Sequence, residues 1–294
     1  MGRSIYKPME DTRPSRTAMR VAMRRAAHQL FDAPPLVLDD PVAVRIIGSE
    51  AAAQMTASAH RRLFARSARA FIVARSRFAE DALARAVARG TGQFVILGAG
   101  LDTFAYRNPY PEGTLRVFEV DHPATQAWKR RKLTNAGIAA PSSVIYVPVN
   151  FEREALADRL AAAGFDATRP AFFSWLGVTM YLTDEAFTST LALIARSGAG
   201  GGVAFDYGAA RSRLAWSDRI VLAWLSRRVA SAGEPFRTFF EPDALVARLR
   251  EQGFAPVDDL GRAEINARYF AARTDGLAVR GNFGRLIAGD LQNG

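Results

Sequence analysis

A glycine turn and an acid about twenty residues beyond it are the residues whose types and spacing most directly suggest chemistry. The apolar run 94–97 leads straight into Gly98-Ala99-Gly100, and a second apolar run, 117–120, ends in Asp121. Gly98 lets the chain turn sharply off a strand, and the absent side chain at Gly100 leaves room for a ligand against the backbone. The Asp121 carboxylate can accept hydrogen bonds from both hydroxyls of a ribose. The spacing predicts a site for an adenosine-type cofactor.

The turn departs from the dinucleotide-binding fingerprint at its last position. That fingerprint, G-x-G-x-x-G, requires a third glycine, and Thr103 stands in its place. We therefore expect S-adenosylmethionine rather than a nicotinamide cofactor. An NAD(P)-dependent oxidoreductase remains the alternative from a second enzyme class, although the sequence shows no Tyr-x-x-x-Lys catalytic pair.

Composition limits the class of protein. The chain has 294 residues, of which 49% are hydrophobic, so it can bury a large core. It has no cysteine and only three scattered histidines, which argues against thiolate chemistry and against a metal site. It also has no apolar run of about 18 residues, and its first residues lack the apolar core of a secretion signal. We expect a cytoplasmic protein without a membrane segment.

The net charge of +10 raises the question of nucleic acid binding. Most of the excess is arginine spread among alanines along expected helices, not a lysine-rich block with interleaved aromatic residues. We interpret it as solvated helix faces that attract small anionic substrates. A basic RNA-binding protein is kept as a non-enzymatic alternative.

The chain is predicted to be helical before position 90 and to alternate strands and helices after it, as in a mostly parallel sheet with helices on both faces. Strong helix formers fill 15–30, Asp39 or Asp40 caps a short helix that starts at Pro41, and apolar residues recur every three or four positions over 61–89. Strands are expected at 94–97, 115–120, 144–149, 171–176 and 202–206, with helices at 123–136, 152–163 and 184–197.

The last third of the chain is predicted to close the sheet. Residues 208–240 form a helical insertion that serves as a lid or as a dimer contact, so the oligomeric state stays open. A helix then runs from Pro242 to Gln252, and 254–259 with 268–272 form a final antiparallel pair. We expect one domain over 1–294, whose parts are a helical cap (1–90), a cofactor-binding core (91–207), the insertion (208–240) and a helix with a strand pair (241–294).

These segments resemble the bacterial S-adenosylmethionine-dependent methyltransferases related to leucine carboxyl methyltransferase. The resemblance covers nearly the whole chain and implies a class I methyltransferase (Rossmann-like) α/β fold, a seven-stranded sheet with its last strand antiparallel, and methyl transfer to oxygen. It rests on LGAGLDT at 97–103 followed by AYR at 105–107, on FEVDHP at 118–123, and on the segments 75–78, 40–41, 147–151 and 174–183.

The resemblance also implies contacts with the adenosine part of the cofactor. Gly98, Ala99 and Gly100 would lie against it, and Asp121 would bind the ribose. His122 would reach the ribose or adenine rim, or else cap the following helix. The family usually has aspartate followed by an apolar residue at the adenine. Here the Asn150 amide oxygen would accept a hydrogen bond from the adenine amino group more weakly, because a neutral acceptor replaces a charged one, and Phe151 would pack on the adenine ring.

The methionine part of the cofactor is expected at Arg75 and at the end of the fourth strand. Arg75 offers a bidentate match to its carboxylate. Related enzymes frequently have a glutamate where this chain has Leu176, so backbone carbonyls near Leu176 and Gly177 would receive the ammonium group.

The expected reaction is methylation of a small-molecule hydroxyl or carboxylate by in-line displacement, for which geometry supplies most of the catalysis. A carboxylate acceptor needs no base, whereas a hydroxyl would need a histidine or an acid such as Asp206. No catalytic base is assigned. A cofactor-binding protein without turnover is the last alternative, and the departures at Asn150 and Leu176 motivate it.

Overall fold

A seven-stranded sheet forms the centre of the protein. The computed structural model describes residues 16–56, 62–150, 154–230 and 235–292. The strands are β1 Gln93–Leu97, β2 Arg116–Asp121, β3 Val144–Pro148, β4 Ala171–Trp175, β5 Gly202–Gly208, β6 Phe254–Leu260 and β7 Gly284–Leu291. Their order is β3-β2-β1-β4-β5-β7-β6, and all pairs are parallel except those of β7, which runs antiparallel to β5 and β6. The expected mostly parallel sheet with an antiparallel last strand is confirmed.

The strand order reverses at β1, which lies between β2 and β4. Every residue of β1 is buried. Phe94 and Ile96 pack on one side of the sheet, whereas Val95 and Leu97 pack on the other, so both faces need apolar side chains. In an open α/β sheet the crevice at such a reversal, beyond the carboxyl ends of the strands, is where ligands bind.

Helices cover both faces of this sheet. They are α1 Arg16–Phe31, α2 Pro41–Ile47, α3 Ser49–Ala53, α4 Leu63–Ala88, α5 Pro123–Asn135, α6 Leu156–Ala162, α7 Asp184–Ala195, α8 Trp216–Ala230, α9 Pro242–Glu251 and α10 Arg262–Tyr269, with single 3₁₀ turns at Phe104–Tyr106, Thr179–Tyr181 and Arg211–Arg213. The face that receives Phe94 is covered mainly by the long helix α4, with α10 beside it, and the opposite face is covered by α6, α7 and α9.

The helices before β1 form their own small core next to the glycine turn. Alanines on one side of α1, including Ala22 and Ala26, pack with Ile46 of α2 and with Leu101, which follows the turn. Asp40 caps α2, because its carboxylate accepts a hydrogen bond from the Ala43 N–H at 3.0 Å. Of the two predicted N-cap residues, Asp39 and Asp40, it is therefore Asp40 that caps α2.

The prediction of a strand at 268–272 is wrong. Residues 262–269 form α10, and the partner of β6 is β7. A helix forms here because the Glu264 carboxylate accepts from the Gly261 N–H at 3.0 Å and so caps its first turn. The helix buries Ile265, and Phe270 just beyond it is also buried in the core.

The predicted insertion contains the turn at Arg211–Arg213 and helix α8. Beyond α8 the chain returns to the sheet, where Phe240 forms an isolated parallel bridge with Ala209. Among the described residues, no helix is long and apolar enough to cross a membrane.

Candidate active site

The glycine turn after β1 requires glycine for reasons of both conformation and space. Gly98 and Gly100 have φ of 68° and 49°, in the left-handed region. The N–H groups of Gly98 and Ala99 both donate to the Val120 carbonyl, at 2.9 and 3.0 Å, which ties the turn to the end of β2. A Cβ atom on Gly98 would lie 2.5 Å from Cγ2 of Val178, in the loop after β4. The turn thus lies between the end of β2, to which it is hydrogen-bonded, and the loop after β4, against which it packs.

Asp121 holds the turn from the neighbouring strand. Its carboxylate accepts hydrogen bonds from the Gly100 N–H and, at 2.6 Å, from the His122 N–H. Burial raises the pKa of this carboxyl, and the two hydrogen bonds only partly oppose that effect. Each oxygen receives one backbone N–H, so each retains a lone pair that a ribose hydroxyl can use.

His122 adopts the helix-capping position, one of the two alternatives predicted for it. Its Nδ1 accepts a hydrogen bond from the Ala124 N–H at 3.3 Å, at the start of α5. This bond satisfies one of the free N–H groups at the helix N-terminus.

Asn150 lies next to Asp121, one strand further toward the edge of the sheet. The Val149 N–H donates to the Asp121 carbonyl at 2.9 Å, which sets the two strand ends side by side. The Asn150 N–H donates to the Glu154 carboxylate at 2.8 Å, and the Glu154 N–H donates back to the Asn150 carbonyl at 2.9 Å. These two hydrogen bonds fix the backbone of Asn150. The predicted residue Phe151 lies outside the described residues.

Arg75 reaches the end of β4 from α4. Its Nη1 donates to Asp206 Oδ2 at 2.9 Å, and the other oxygen of Asp206 accepts from the Gly177 N–H at 2.5 Å. The side chains of Arg75 and Asp206 are only 8% and 1% exposed. A Cβ on Gly177 would lie 3.0 Å from both Nη atoms, so this glycine, with φ of 73°, makes room for the guanidinium group.

Leu176 provides no polar side-chain contact at this point, because its side chain packs against the core on the α4 face. The carboxylate that contacts Gly177 comes instead from Asp206, near the end of β5. Asp206 entered the sequence prediction only as a candidate base, and its partnership with Arg75 was missed. The sequence feature that could have indicated this role is the position of Asp206 near the end of an apolar strand.

The predicted residues form two groups that meet at the glycine turn. One lies at the ends of β1, β2 and β3, and the other at the ends of β4 and β5, with the Val178 side chain in contact range between them. The first group is Gly98, Ala99, Gly100, Asp121, His122 and Asn150, and the second is Arg75, Leu176 and Gly177.

Helix α1 covers the outer side of the turn, which the sequence did not predict. A Cβ on Gly100 would lie 3.1 Å from Cβ of Ala18. Further along the same helix, Arg25 contacts the chain just beyond the turn. Across the ranges that the structure describes, no group of three or more histidine, aspartate or glutamate side chains is placed to hold a metal ion.

The sequence model of the leucine carboxyl methyltransferase family matches residues 18–195. This range contains the glycine turn, Asp121, Asn150, Arg75 and the end of β4. The chain belongs to the leucine carboxyl methyltransferase family. Membership makes it an S-adenosylmethionine-dependent methyltransferase, so the expected family, enzyme class and cofactor are confirmed.

Relatives of this methyltransferase carry the same description. The "Putative S-adenosyl-L-methionine-dependent methyltransferase YktD" of Bacillus subtilis is 35% identical over 208 residues, which are 70% of this chain and 68% of the relative. The "Putative S-adenosyl-L-methionine-dependent methyltransferase SCO7813" of Streptomyces coelicolor is 42% identical over 130 residues, 44% of this chain and 45% of the relative. The second alignment thus spans less than half the length of either protein.

A solved structure extends the similarity to the whole fold. The crystal structure of "a putative methyltransferase from Thermobifida fusca" matches 99% of this chain and 100% of its own, with a TM-score of 0.56 and 15% identity. At that identity the match bears on the fold alone, which is that of the class I methyltransferases.

The described residues fit S-adenosylmethionine. Asp121 retains acceptor capacity, and the Nε of Arg75 is buried without a hydrogen-bond partner in the part of the chain that the structure describes. The space next to Gly100 that a side chain would take is filled by Ala18 of α1, so the sequence-based expectation of open room for a ligand on that side of Gly100 is not met. A guanidinium group with unused donors suits a carboxylate.

Proposed function

We propose that this methyltransferase methylates an oxygen of a small-molecule acceptor, a carboxylate or a hydroxyl. The observation that carries the proposal is that Gly100 with Asp121, and Arg75 with Gly177, lie at the carboxyl ends of neighbouring parallel strands. That crevice is where open α/β sheets bind their ligands.

Within this proposal each end of the cofactor has its own residues. Asp121 accepts from the ribose, Asn150 accepts from the adenine amino group, and Arg75 binds the methionine carboxylate. Gly98, Ala99 and Gly100 provide the close backbone surface, and Phe151, His122, Leu176 and Gly177 complete the set proposed from the sequence. The bound cofactor supplies an electrophilic methyl group on a sulfonium.

The acceptor that the site favours is a carboxylate. Asp206 already accepts from Arg75 and from the Gly177 N–H, and its side chain is 1% exposed, so it is badly placed to take a proton from a hydroxyl. His122 caps a helix, and His28 is buried against Asp32. A carboxylate is ionised at neutral pH and needs no base. The net charge of +10 also favours an anionic acceptor.

Two segments are proposed to surround the acceptor. The cap, 1–90, lies against the glycine turn through α1, and the insertion, 208–240, carries α8, where Trp216 is 76% and Ile220 59% exposed. Apolar side chains exposed on one helix suit either a lid over the acceptor or a contact with a second copy. The single-domain organisation and the cytoplasmic location stay predictions.

Calorimetry with S-adenosylhomocysteine and with NADH tests the cofactor site first. We expect binding of S-adenosylhomocysteine that Asp121→Ala abolishes. Binding of NADH alone would restore the oxidoreductase alternative. Arg196→Ala, at the carboxyl end of α7, is the control and should leave the affinity unchanged.

The acceptor class is tested with S-adenosylmethionine labelled in its methyl group. Panels of small carboxylic acids and of phenols are incubated with the enzyme, and each labelled product is then treated with mild base. Methyl esters release volatile methanol under these conditions, whereas aryl methyl ethers keep the label. Label retained after base treatment would refute the carboxylate acceptor, and tight cofactor binding with no labelled product would favour a protein without turnover.

A further inference from the structure

A buried ion cluster joins the cap to the glycine turn. Arg25 of α1 is 2% exposed. Its Nη2 donates to the carbonyl of Leu101, its Nη1 donates to Asp102 Oδ2 at 3.3 Å, and its Nε lies 3.4 Å from Asp40 Oδ2. Leu101 and Asp102 are the two residues that directly follow Gly100.

Asp40 completes the cluster from the start of α2. It is fully buried and accepts from the Thr103 hydroxyl at 2.7 Å, in addition to its capping bond from the Ala43 N–H. The Arg107 Nε lies 3.5 Å from its other oxygen. Arg25 and Asp40 thus hold, between them, each of the three residues after the turn.

The charge on Asp102 is part of this arrangement. Burial by itself would raise the pKa of its carboxyl, but the Arg25 guanidinium, Lys129 and a hydrogen bond from the Phe104 N–H hold that pKa below its usual value. Asp102 is therefore ionised at neutral pH, and it remains an acceptor for Arg25.

The position of α1 shows what the cluster fixes. Ala18 and Arg25 are seven residues apart, so they lie on the same face of the helix. Ala18 lies against Gly100, and Arg25 lies against the two residues beyond it. The Gly100 N–H in turn donates to Asp121. Helix α1 therefore forms the outer wall of the turn.

A contribution to stability does not by itself explain the Arg25 cluster, since buried ion pairs can often be replaced by well-packed apolar side chains without loss of folding stability. We propose that Arg25 and Asp40 are positioning residues of the cofactor site. They hold residues 101–103 so that Gly100 and Asp121 keep the geometry that receives the ribose. This inference rests on the cofactor contacts proposed above for Gly100 and Asp121.

A second buried pair near the end of the same helix provides a matched control. The Asp32 carboxylate, just after α1, accepts from Arg69 Nε at 2.7 Å and Nη2 at 2.6 Å and is bonded to His28 Nδ1 at 2.7 Å. Arg69 is 2% exposed, as Arg25 is. This pair fastens α1 to α4, whereas the Arg25 cluster fastens α1 to the turn.

The experiment compares Arg25→Met, Asp40→Asn and Arg69→Met with the wild-type protein. Calorimetry gives the dissociation constant of S-adenosylhomocysteine, and urea unfolding gives the stability of each variant. We expect all three to be less stable, because each disrupts a buried pair. Only Arg25→Met and Asp40→Asn should weaken binding, by about tenfold or more, the value of one charge-assisted hydrogen bond. Arg25→Lys should fall between wild type and Arg25→Met.

Two results would overturn the proposal. One is wild-type affinity in folded Arg25→Met, and the other is equal weakening by Arg69→Met. Absence of binding by the wild-type protein would instead refute the cofactor site itself.

Hydrogen exchange on the wild-type protein keeps the test decisive if the variants do not fold. Addition of S-adenosylhomocysteine should slow exchange in both 101–103 and α1. Protection of 101–103 without protection of α1 would show that the cap is not coupled to the turn, and would also overturn the proposal.

Discussion

Alanine at position 98 separates the two reasons for glycine in the turn. The left-handed backbone, with φ of 68°, costs an L-residue roughly 1–2 kcal/mol. The new Cβ would also lie 2.5 Å from Cγ2 of Val178, a stiff β-branched side chain, and overpacking of this kind costs about 1–3 kcal/mol. We therefore expect Gly98→Ala to lower the free energy of unfolding by about 2–5 kcal/mol.

Gly276→Ala isolates the backbone contribution. Gly276 has φ of 69°, almost the same as Gly98, and a Cβ there would meet nothing within 4 Å. We expect it to cost only the backbone strain, roughly 1–2 kcal/mol. Val178→Ala removes the Cγ2 atom that the new Cβ at position 98 would overlap. In the double variant the overpacking cost should therefore be mostly absent, whereas the cost of the backbone strain should remain.

Urea unfolding of the four variants and the wild-type protein gives the free energies, provided that the slope of each transition stays constant. Equal costs for Gly98→Ala and Gly276→Ala would refute the steric part of the reasoning. Strict additivity of Gly98→Ala and Val178→Ala would refute it as well, because residues in contact are expected to couple by about 0.5–3 kcal/mol. Calorimetry should show weaker binding of S-adenosylhomocysteine only for the variants at position 98.

Three further predictions concern carboxylates. Burial raises the pKa of Asp121 above the ordinary aspartate value, and only its ionised form accepts from both ribose hydroxyls. The affinity for S-adenosylhomocysteine should therefore fall as the pH is lowered toward that raised pKa, whereas Asp121→Asn should bind weakly and lack this pH dependence. Asp206→Asn leaves Arg75 buried without a countercharge, so it should lower the free energy of unfolding in urea by about 3–5 kcal/mol. It should also weaken cofactor binding. Hydrogen bonds from Arg273 lower the pKa of Asp275 to about 2. The stability that this carboxylate contributes is present above its ordinary pKa and is lost as the pH falls toward 2, so the difference in melting temperature between wild type and Asp275→Asn should be smaller at pH 3 than at pH 6.

The sequence predicted the parallel half of the sheet well because burial on both faces leaves a simple pattern. Strands β1, β4 and β5 are buried along their whole length and need apolar side chains at most positions, so they stand out as short apolar runs between helical stretches. The glycine turn was equally predictable, since a left-handed backbone beside Val178 strongly favours glycine at position 98.

The end of the chain was less predictable. Tyr269 and Phe270 gave 268–272 the composition of a strand, but the cap from Glu264 and the burial of Ile265 favour a helix there. Strand β7 contains Gly284 and Gly289, which weaken a strand on propensity alone. Both glycines are needed because an aromatic side chain fills the space above each, Phe71 over the first and Phe254 over the second.

The sequence indicated candidate site residues one at a time, but it did not indicate how their side chains pair. Arg75 and Asp206 are 131 positions apart, and no local pattern indicates that one carboxylate will hold both this arginine and the Gly177 N–H. The contacts of Ala18 and Arg25 with the turn likewise depend on how α1 packs, which is a tertiary property.

The place of β7 in the sheet has a consequence for how the chain folds during synthesis. β7 lies between β5 and β6, although both precede it in the sequence. Until β7 emerges from the ribosome, β5 therefore presents an unpaired edge, and β6 has no strand to join. The parallel half, β1 to β5, can assemble earlier, so the nascent protein passes through a stage with a complete glycine turn and an open sheet edge. Such an edge can pair with another newly made chain, so the β5 edge is a site where association must be avoided until β7 is in place.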